Sequence, residues 1–317
     1  MRIVTHQDIV DLNIPPKQCY DWVSYVLEHK KDALLPAKIS MKLGEGIFCN
    51  TMPGVVSMPS GKRYGGVKVV TRYPQRSPSL DSKLILFDAD SGEMEALMDA
   101  DWITAMRTGA VAVHSMRLFV KRDFNTIGLI GLGNTARATM LVFSAFCNKK
   151  VKVLLLKYKG QEALFAERFS GFPNFEFVYC DTAEEVIAHS QVVISAATYL
   201  PEDLCRDNAF GKGVLVIPIH TLGFTNCDLF FDKVFADDIN HVKHFKYFDK
   251  FRSFAEVGDV VCGNAEGRAN DNERILVYNI GIALHDIYYA ANIFEMLIHE
   301  ENLQSVDFLG PKDKFWI

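Results

Sequence analysis

A glycine-rich segment has the residue types and spacing of a dinucleotide-binding turn. Gly131, Gly133 and Ala136 form a G-x-G-x-x-A pattern between the apolar run 126–130 and a segment of helical character. The first glycine permits a sharp turn, the second lets a pyrophosphate approach the backbone, and the alanine allows close packing of helix and strand. The free N–H groups at the helix start favour phosphate. The expected contacts with a nicotinamide dinucleotide are Gly131, Gly133, Asn134, Thr135 and Ala136; the alternative is a tight turn without a ligand.

The residues after the next apolar run bear on which dinucleotide binds. In NAD-binding proteins an acidic residue about 20 positions after the glycines accepts the ribose 2′-hydroxyl. Here Leu156 occupies that position and is followed by Lys157, Tyr158 and Lys159. A lysine favours a 2′-phosphate, so the sequence slightly favours NADP over NAD, with Lys157 as a cofactor contact. The alternative is that both lysines are solvated loop residues.

An arginine in an apolar setting is a second candidate for chemistry. Arg107 lies among the small and apolar residues Ala105, Met106, Gly109 and Ala110. A charge in such surroundings is costly to bury without a partner. The guanidinium fork is suited to binding a substrate carboxylate through two hydrogen bonds. The alternative is an ion pair with a structural carboxylate.

Composition excludes several classes of protein. The chain has 317 residues, of which 49% are hydrophobic, and a net charge of −5. A general nucleic-acid binder needs an excess of positive charge. The sequence has no apolar run of about 18 residues and no signal-like segment at its start, so we expect no membrane partner and a cytoplasmic location. The cysteines form no C-x-x-C pair. We also expect no metal: Asp237-Asp238, with His241 and His244 nearby, is predicted to be a solvated turn before a helix.

The pattern of elements changes near residue 120. Short strand-like segments before it predict an antiparallel or mixed sheet: 38–41, 46–52, 66–72, 84–87 and 95–98. Strands then alternate with helices, which predicts a parallel sheet with covered faces. The segment from 271 to about 299 has helical periodicity and is predicted to return as one helix. The predicted fold is α/β, with a Rossmann domain (119–290) inserted into a mixed or antiparallel α+β substrate-binding and dimerisation domain (1–118 plus 291–317).

Four segments resemble the ornithine cyclodeaminase/mu-crystallin family in order and spacing. The most distinctive runs from Asp99 to Ala110 and is similar to the signature D-x-x-x-[IL]-T-x-x-R-T-G-A. The others are Gly65-Gly66-Val67-Lys68, the glycine turn through Arg137, and Glu256 to Asp259 followed by Gly267-Arg268. The resemblance spans about residues 35 to 290. It implies a homodimeric NAD(P)-dependent enzyme that acts on the Cα–N bond of an α-amino acid or cyclic imino acid.

The resemblance also implies roles for individual residues. Lys68 would contact the substrate carboxylate and help to protonate the reacting centre, and Arg107 would bind the carboxylate and touch the cofactor. Lys38 stands where family members usually have an arginine, so its charge is kept and the bidentate geometry is lost. The further expected cofactor contacts are Thr104, Thr108 and Thr198. For each of these residues the alternative is an ordinary structural role.

The departure from the family pattern lies at residues 216–223. Cyclodeaminases have G-x-D-x-P-G-K there, and their aspartate is the acid/base. In this sequence His220 takes that position and Leu222 replaces the proline. An imidazole can exchange protons near neutral pH, so His220 is a catalytic candidate, and a packing role is its alternative. The departure favours imine reduction or amino-acid dehydrogenation. The alternative functions are a cyclodeaminase-type ammonia lyase using catalytic NAD, and a non-catalytic ligand-binding protein like mu-crystallin.

Overall fold

Two sheets organise the computed structural model, which describes residues 1–197, 204–219, 229–300 and 302–307. The first unit comprises residues 1–13, 32–104 and the described residues from 286 onward, and the second comprises 14–31 and 105–285. The chain thus passes between the units at 13/14, 31/32, 104/105 and 285/286. The bounds expected from the sequence, 119–290 and 1–118 plus 291–317, stay a prediction. Within the described ranges, none of the helices has the length and apolar character needed to cross a membrane.

The first unit is built on a six-stranded mixed sheet. Its elements are β1 (Arg2–Val4), α1 (His6–Asp11), β2 (Ile39–Gly44), β3 (Ile47–Ser57), β4 (Arg63–Arg72), β5 (Leu80–Asp88) and β6 (Met94–Asp99). The strand order is β1-β6-β5-β4-β3-β2. β1 pairs with β6 in parallel and all other neighbours are antiparallel. The mixed sheet expected from the short strands and tight turns is confirmed.

The two faces of this sheet have different environments. On one face the absence of a side chain at Gly66 admits Ile287, whose Cγ1 would lie 3.1 Å from an added Cβ. On the other face Ile39, Val69 and Ile85 are 59%, 38% and 40% exposed. Cross-strand pairing of Ile39 with Thr51 and of Thr51 with Val69 places Ile39 and Val69 in one row, which continues to Lys83. The first sheet therefore has one covered face and one face on which these three apolar residues are open to solvent.

The second unit is a parallel α/β fold. Its helices are α2 (Pro16–Glu28), the part of α3 (Asp101–Phe119) from residue 105, α4 (Asn134–Ser144), α5 (Gln161–Arg168), α6 (Ala183–Ala188), α7 (Ile239–Val242), α8 (Val257–Val261) and the start of α9 (Ala283–Leu297). Its strands are β7 (Thr126–Ile130), β8 (Val151–Leu156), β9 (Phe175–Cys180), β10 (Val192–Ser195), β11 (Leu215–Pro218), β12 (Lys233–Ala236), β13 (Phe254–Glu256) and β14 (Ile275–Tyr278).

The order of these strands is that of a Rossmann sheet. It is β13-β12-β14-β11-β10-β7-β8-β9, with every pair parallel. The strand order reverses between β7 and β10, and open parallel sheets bind their ligands at such a switch point, beyond the carboxyl ends of the strands. The Rossmann fold predicted from the sequence is confirmed.

The prediction of one helix from 271 to about 299 is wrong in its first part. Ile275–Tyr278 is the buried strand β14, and α9 begins only at Ala283. A short apolar run fits both a buried strand and a buried helix, so periodicity alone did not separate them. Gly281, with φ of +91°, lies in the connection between the strand and the helix and interrupts the regular secondary structure there.

The prediction of a solvated turn at Asp237-Asp238 is also wrong. Asp237 is fully buried, and Asp238 and His241 are 7% and 8% exposed. Lys30 supplies the compensating charge: its Nζ lies 2.8 Å from Asp238 Oδ2 and donates a hydrogen bond of 2.7 Å to the Asp237 carbonyl oxygen. No cluster of three or more His, Cys, Asp or Glu side chains in the described ranges is arranged to hold a metal ion.

His114 is a buried base between two helices of the second unit. It lies on α3, is 6% exposed, and stacks on Tyr20 of α2 with 5.3 Å between ring centroids. Burial, together with the nearby charge of Arg117, lowers the pKa of His114 to about 4. Because the folded chain resists protonating this ring, the contribution to stability is full above the unfolded pKa of about 6.5 and is lost as the pH falls toward 4.

We predict that His114→Phe, which keeps an aromatic ring against Tyr20, makes the protein less sensitive to acid. The wild-type free energy of unfolding should fall by up to about 3 kcal/mol more than that of the variant between pH 6.5 and 4. Thermal denaturation across this pH range measures the difference. His189→Gln, at an exposed histidine, is the control. Parallel loss of stability in wild type and His114→Phe would contradict the prediction.

Candidate functional site

The turn after β7 is shaped by Gly131. Its φ of +85° lies in the left-handed region, which side chains disfavour. A Cβ at this position would lie 2.7 Å from Ala197 N and 2.8 Å from the carbonyl carbon of Ala196, just beyond the end of β10. Gly131 therefore lets the chain turn tightly at the switch point of the sheet.

Gly133 leaves the start of α4 open. It is exposed, precedes the helix with extended backbone, and has no other atom within 4 Å of the place a Cβ would occupy. Asn134 and Thr135 begin the helix, and Ala136 is fully buried beneath them. The first N–H groups of a helix have no intrahelical acceptor. This open cradle with free donors fits the diphosphate of a dinucleotide.

Gly109 packs α3 against α4, the helix that follows the glycine turn. A Cβ at Gly109 would lie 2.5 Å from Thr139 N of α4, so the backbones of the two helices are in direct contact. From residue 105 on, α3 carries two of the predicted site residues, the buried Arg107 and the half-buried Thr108. The helix that carries Arg107 and Thr108 therefore contacts, at Gly109, the helix that begins at the glycine turn.

The guanidinium of Arg107 lies against the backbone of Gly281. Arg107 is only 6% exposed. A Cβ on Gly281 would lie 3.1 Å from Arg107 Cζ and 3.1 Å from Nη2, and it would overlap Nη1. Glycine is needed here both for its φ of +91° and for the space that the guanidinium takes. The sequence indicated the importance of Arg107 but gave no sign of Gly281.

Lys157 follows β8 directly and is paired. Its Nζ lies 2.8 Å from Oδ1 of Asp181, which follows β9, and both side chains are largely exposed at 45% and 77%. The hydrogen bond from Lys157 to Asp181 raises the lysine pKa above its ordinary value. Asp181 was not anticipated because its partner lies 24 residues earlier in the sequence. The two residues form a charged pair at the carboxyl ends of neighbouring strands.

The other predicted catalytic cation, Lys68, is buried in the first unit. Its Nζ lies 2.7 Å from Oδ1 of Asp286, and neither side chain is exposed. Nζ also lies 3.4 Å from Oγ1 of Thr104, which donates a 3.1 Å hydrogen bond to Ser82 Oγ. A buried charge needs a close partner because its desolvation is expensive. Asp286 neutralises Lys68, and it was missed although it is one of only two acids in the apolar helix Ala283–Leu297.

The remaining predicted residues are distributed as follows. Lys38 is half-buried and directly precedes β2 in the first unit. Thr104 lies in the first turn of α3 with its hydroxyl engaged by Lys68 and Ser82. Thr198 and His220 lie outside the described residues. The structure therefore assembles the glycine turn, Arg107 and Thr108 in the second unit, and Lys68 with Thr104 in the first.

Comparison with known proteins gives consistent matches over most of the chain. A sequence model of the ornithine cyclodeaminase/mu-crystallin family matches residues 41–301. The nodulation efficiency protein NfeD of Rhizobium meliloti is 27% identical over 308 residues, which cover 93% of this chain and 95% of that protein. N-((2S)-2-amino-2-carboxyethyl)-L-glutamate dehydrogenase of Staphylococcus aureus is 27% identical over 228 residues, which cover 67% of each chain.

A solved structure agrees with the fold of the whole chain. Delta(1)-pyrroline-2-carboxylate reductase of Thermococcus litoralis, in complex with NADH and L-proline, has a TM-score of 0.83 and 22% sequence identity. The match covers 96% of this chain and 100% of the reductase. The fold class, with its Rossmann-type sheet, is confirmed by this likeness.

We predict that alanine has opposite effects at the two glycines of the turn. Gly131→Ala should lower the melting temperature because its Cβ would collide with backbone near Ala196 and Ala197. Gly133→Ala should leave the melting temperature within a few degrees but weaken dinucleotide binding by about tenfold or more, since its Cβ enters space needed by the phosphates. Thermal denaturation and fluorescence titration with reduced dinucleotide measure the two effects. Wild-type binding by Gly133→Ala would show that the cradle does not hold the dinucleotide.

Proposed function

We propose that this chain, which belongs to the ornithine cyclodeaminase/mu-crystallin family, is an NAD(P)-dependent oxidoreductase acting on the Cα–N bond of an α-amino acid or cyclic imino acid. Imine reduction or amino-acid dehydrogenation is favoured over cyclodeamination, because His220 stands in place of the aspartate of cyclodeaminases. The observation that carries the proposal is the dinucleotide cradle at Gly131 and Gly133 in the same unit as the buried Arg107, whose helix α3 packs on α4 at Gly109.

Arg107 is assigned the substrate carboxylate. An imino acid or amino acid presents a carboxylate next to the carbon that exchanges hydride, and the planar guanidinium can bind it through two parallel hydrogen bonds. A guanidinium that is 6% exposed is already desolvated, so its attraction for an anion is stronger than at the surface. Fixing the carboxylate orients the neighbouring carbon, and orientation is a large part of such catalysis.

Lys68 is assigned two roles: it contacts the substrate carboxylate, and it donates a proton to the reacting centre. Asp286 at 2.7 Å cancels the net charge of its ammonium group, so Lys68 adds little long-range attraction for an anion. In this ion pair Nζ donates to the Asp286 carboxylate. Lys68 can therefore hold a proton at Nζ for the reacting centre. His220 remains the proposed second acid/base, Lys38 a further substrate contact, and Thr104, Thr108 and Thr198 proposed cofactor contacts.

When bound, the dinucleotide supplies the hydride for the carbon of the C=N bond. The chain's own residues bind the phosphates at Gly133 to Ala136, hold the carboxylate at Arg107 and provide the proton at Lys68. The solved reductase in complex with NADH and L-proline supports this class of substrate. The cytoplasmic location expected from the sequence stays a prediction.

We predict that the protein oxidises NADPH or NADH in the presence of Delta(1)-pyrroline-2-carboxylate or a related imino acid. Arg107→Leu should lower kcat/KM by the equivalent of about 3–5 kcal/mol, the scale for breaking a buried charged contact. Arg107→Lys should recover only part, because the bidentate geometry is lost. Nicotinamide absorbance measures all rates. Arg117→Leu, at an exposed arginine of the same helix, is the control and should change kcat/KM by less than about threefold.

Two results would count against this assignment. A folded Arg107→Leu variant with wild-type kcat/KM would refute the assignment of Arg107 to the substrate carboxylate. The wild-type protein should oxidise a reduced dinucleotide with an imino acid or reduce an oxidised one with an amino acid. Failure of both reactions would refute the oxidoreductase proposal and favour a ligand-binding protein.

We propose further that NADP(H) is preferred over NAD(H), with Lys157 facing the 2′-phosphate. No acid follows β8, and Lys157 is the first residue after it. Lys157→Asp should weaken NADPH binding by about tenfold or more relative to NADH, since a charge-assisted hydrogen bond contributes roughly 1.5–3 kcal/mol. Asp181→Asn, which removes the competing carboxylate, should tighten NADPH binding. Equal affinity for both dinucleotides in wild type and variants, measured by fluorescence titration, would refute the preference.

The homodimer implied by the family resemblance is proposed to form through the open face of the first sheet. Ile39, Val69 and Ile85 on that face are exposed apolar residues on a regular sheet surface, the kind of patch that marks an interaction site. The wild-type protein should have about twice the chain mass of 35.7 kDa at micromolar concentration in light scattering. Val69→Asp with Ile85→Asp should shift it to monomer, and Leu164→Asp on α5 should not. A wild-type monomer would contradict the proposal.

A further inference from the structure

Asp237 is a buried acid that none of the proposed steps uses. It is fully buried and directly follows β12. Its Oδ2 accepts a 2.5 Å hydrogen bond from the N–H of Gly281, and its own N–H donates a 3.2 Å bond to the Tyr278 carbonyl oxygen. The first bond reaches the short stretch between β14 and α9, and the second reaches Tyr278, the last residue of β14. Asp237 therefore fixes the backbone of that stretch from one side.

Gly281 is the point where this stretch meets Arg107. The guanidinium lies where a side chain of Gly281 would be, with Cζ and Nη2 both 3.1 Å from that position. Any displacement of the Gly281 backbone would change the surface on which the guanidinium lies. The position of Arg107 thus depends on a residue that is held by Asp237.

A buried ion network keeps Asp237 itself in place. The ammonium of Lys30 donates to the Asp237 carbonyl oxygen and pairs with Asp238 and Glu256 at 2.8 and 2.7 Å. His241 Nδ1 lies 3.8 Å from Asp237 Oδ1. Burial by itself would raise the pKa of Asp237, but the His241 ring and the Gly281 N–H outweigh it and keep that pKa below its ordinary value. Asp237 is therefore a carboxylate, the stronger form of acceptor for a backbone N–H.

We propose that Asp237 is a positioning residue for the substrate carboxylate: by holding the Gly281 N–H, it keeps a bare backbone surface in place against the Arg107 guanidinium. The inference rests on the proposed role of Arg107. A misplacement of about 1 Å in a substrate-orienting group can cost on the order of 100-fold in rate. Loss of the Asp237–Gly281 hydrogen bond is expected to displace the guanidinium by a distance of this order, although Asp237 itself does not touch the substrate.

The test compares Asp237 with its neighbour Asp238, a buried acid that also contacts Lys30 but makes no bond to Gly281. Asp237→Ala should lower kcat/KM for Delta(1)-pyrroline-2-carboxylate by about tenfold to 100-fold, mainly through KM, with NADPH binding unchanged within about threefold. Asp237→Asn should restore kcat/KM to within about threefold of wild type, since its amide oxygen can still accept from Gly281. Asp238→Ala should lower the melting temperature while leaving KM within about threefold of wild type.

Equal effects of Asp237→Ala and Asp238→Ala on KM would overturn the proposal. If Asp237→Ala does not fold, Gly281→Ala provides the same test from the other side of the bond. Its Cβ would push the guanidinium away while leaving Asp237 intact, so KM should rise by about tenfold or more. A wild-type KM for a folded Gly281→Ala variant would also overturn the proposal.

Crystal structures of wild type and Asp237→Asn, and of Asp237→Ala or Gly281→Ala, separate this inference from the proposed function. The guanidinium should leave its wild-type position in the alanine variant and keep it in Asp237→Asn. If it moves in this way but the wild-type protein reduces no imino acid, the positioning role stands and the proposed function fails. If it stays against residue 281 in the alanine variant, the positioning role fails whatever substrate the protein uses.

Discussion

The burial of the Arg107 guanidinium is the constraint on which the second unit depends. A cation this deeply buried must be surrounded by groups placed to accept it. Gly109 lets α3 pack closely on α4, and Gly281, which has no side chain, leaves space for the guanidinium. Asp237 accepts a hydrogen bond from the N–H of Gly281. Each of these features is costly alone, because glycine weakens a helix and a buried carboxylate needs partners. Together they give α3 its packing on α4 and give the Arg107 guanidinium its space against Gly281.

The first unit also contains a buried cation, which is paired with a buried carboxylate. Lys68 and Asp286 are both fully buried at 2.7 Å, and they are near each other because Gly66 lets Ile287 pack onto the sheet. An ion pair of this kind contributes little net stability, since desolvation offsets its attraction. It places an amine that donates to a carboxylate inside an apolar environment. We propose different roles for the two cations: the planar guanidinium of Arg107 for a carboxylate, and the Nζ of Lys68 for a proton.

Sequence patterns predicted the features that depend on local spacing. The turn at Gly131 and the helix around Arg107 follow from residues that are close in the chain, and the structure contains both. Patterns failed where two structures share one pattern: the buried strand Ile275–Tyr278 is as apolar as a buried helix. They also could not identify partners distant in sequence. Asp286 lies 218 residues from Lys68, and Asp237 lies 44 residues from Gly281.

We propose that this chain transfers hydride to the carbon of a C=N bond. The experiment supplies reduced dinucleotide that carries deuterium at the transferred position, together with Delta(1)-pyrroline-2-carboxylate. Mass spectrometry and NMR of the product then locate the label. We expect an amino acid with one deuterium at Cα, formed in step with oxidation of the dinucleotide. An amino acid without deuterium at Cα, or unchanged substrate with unoxidised dinucleotide, would contradict it.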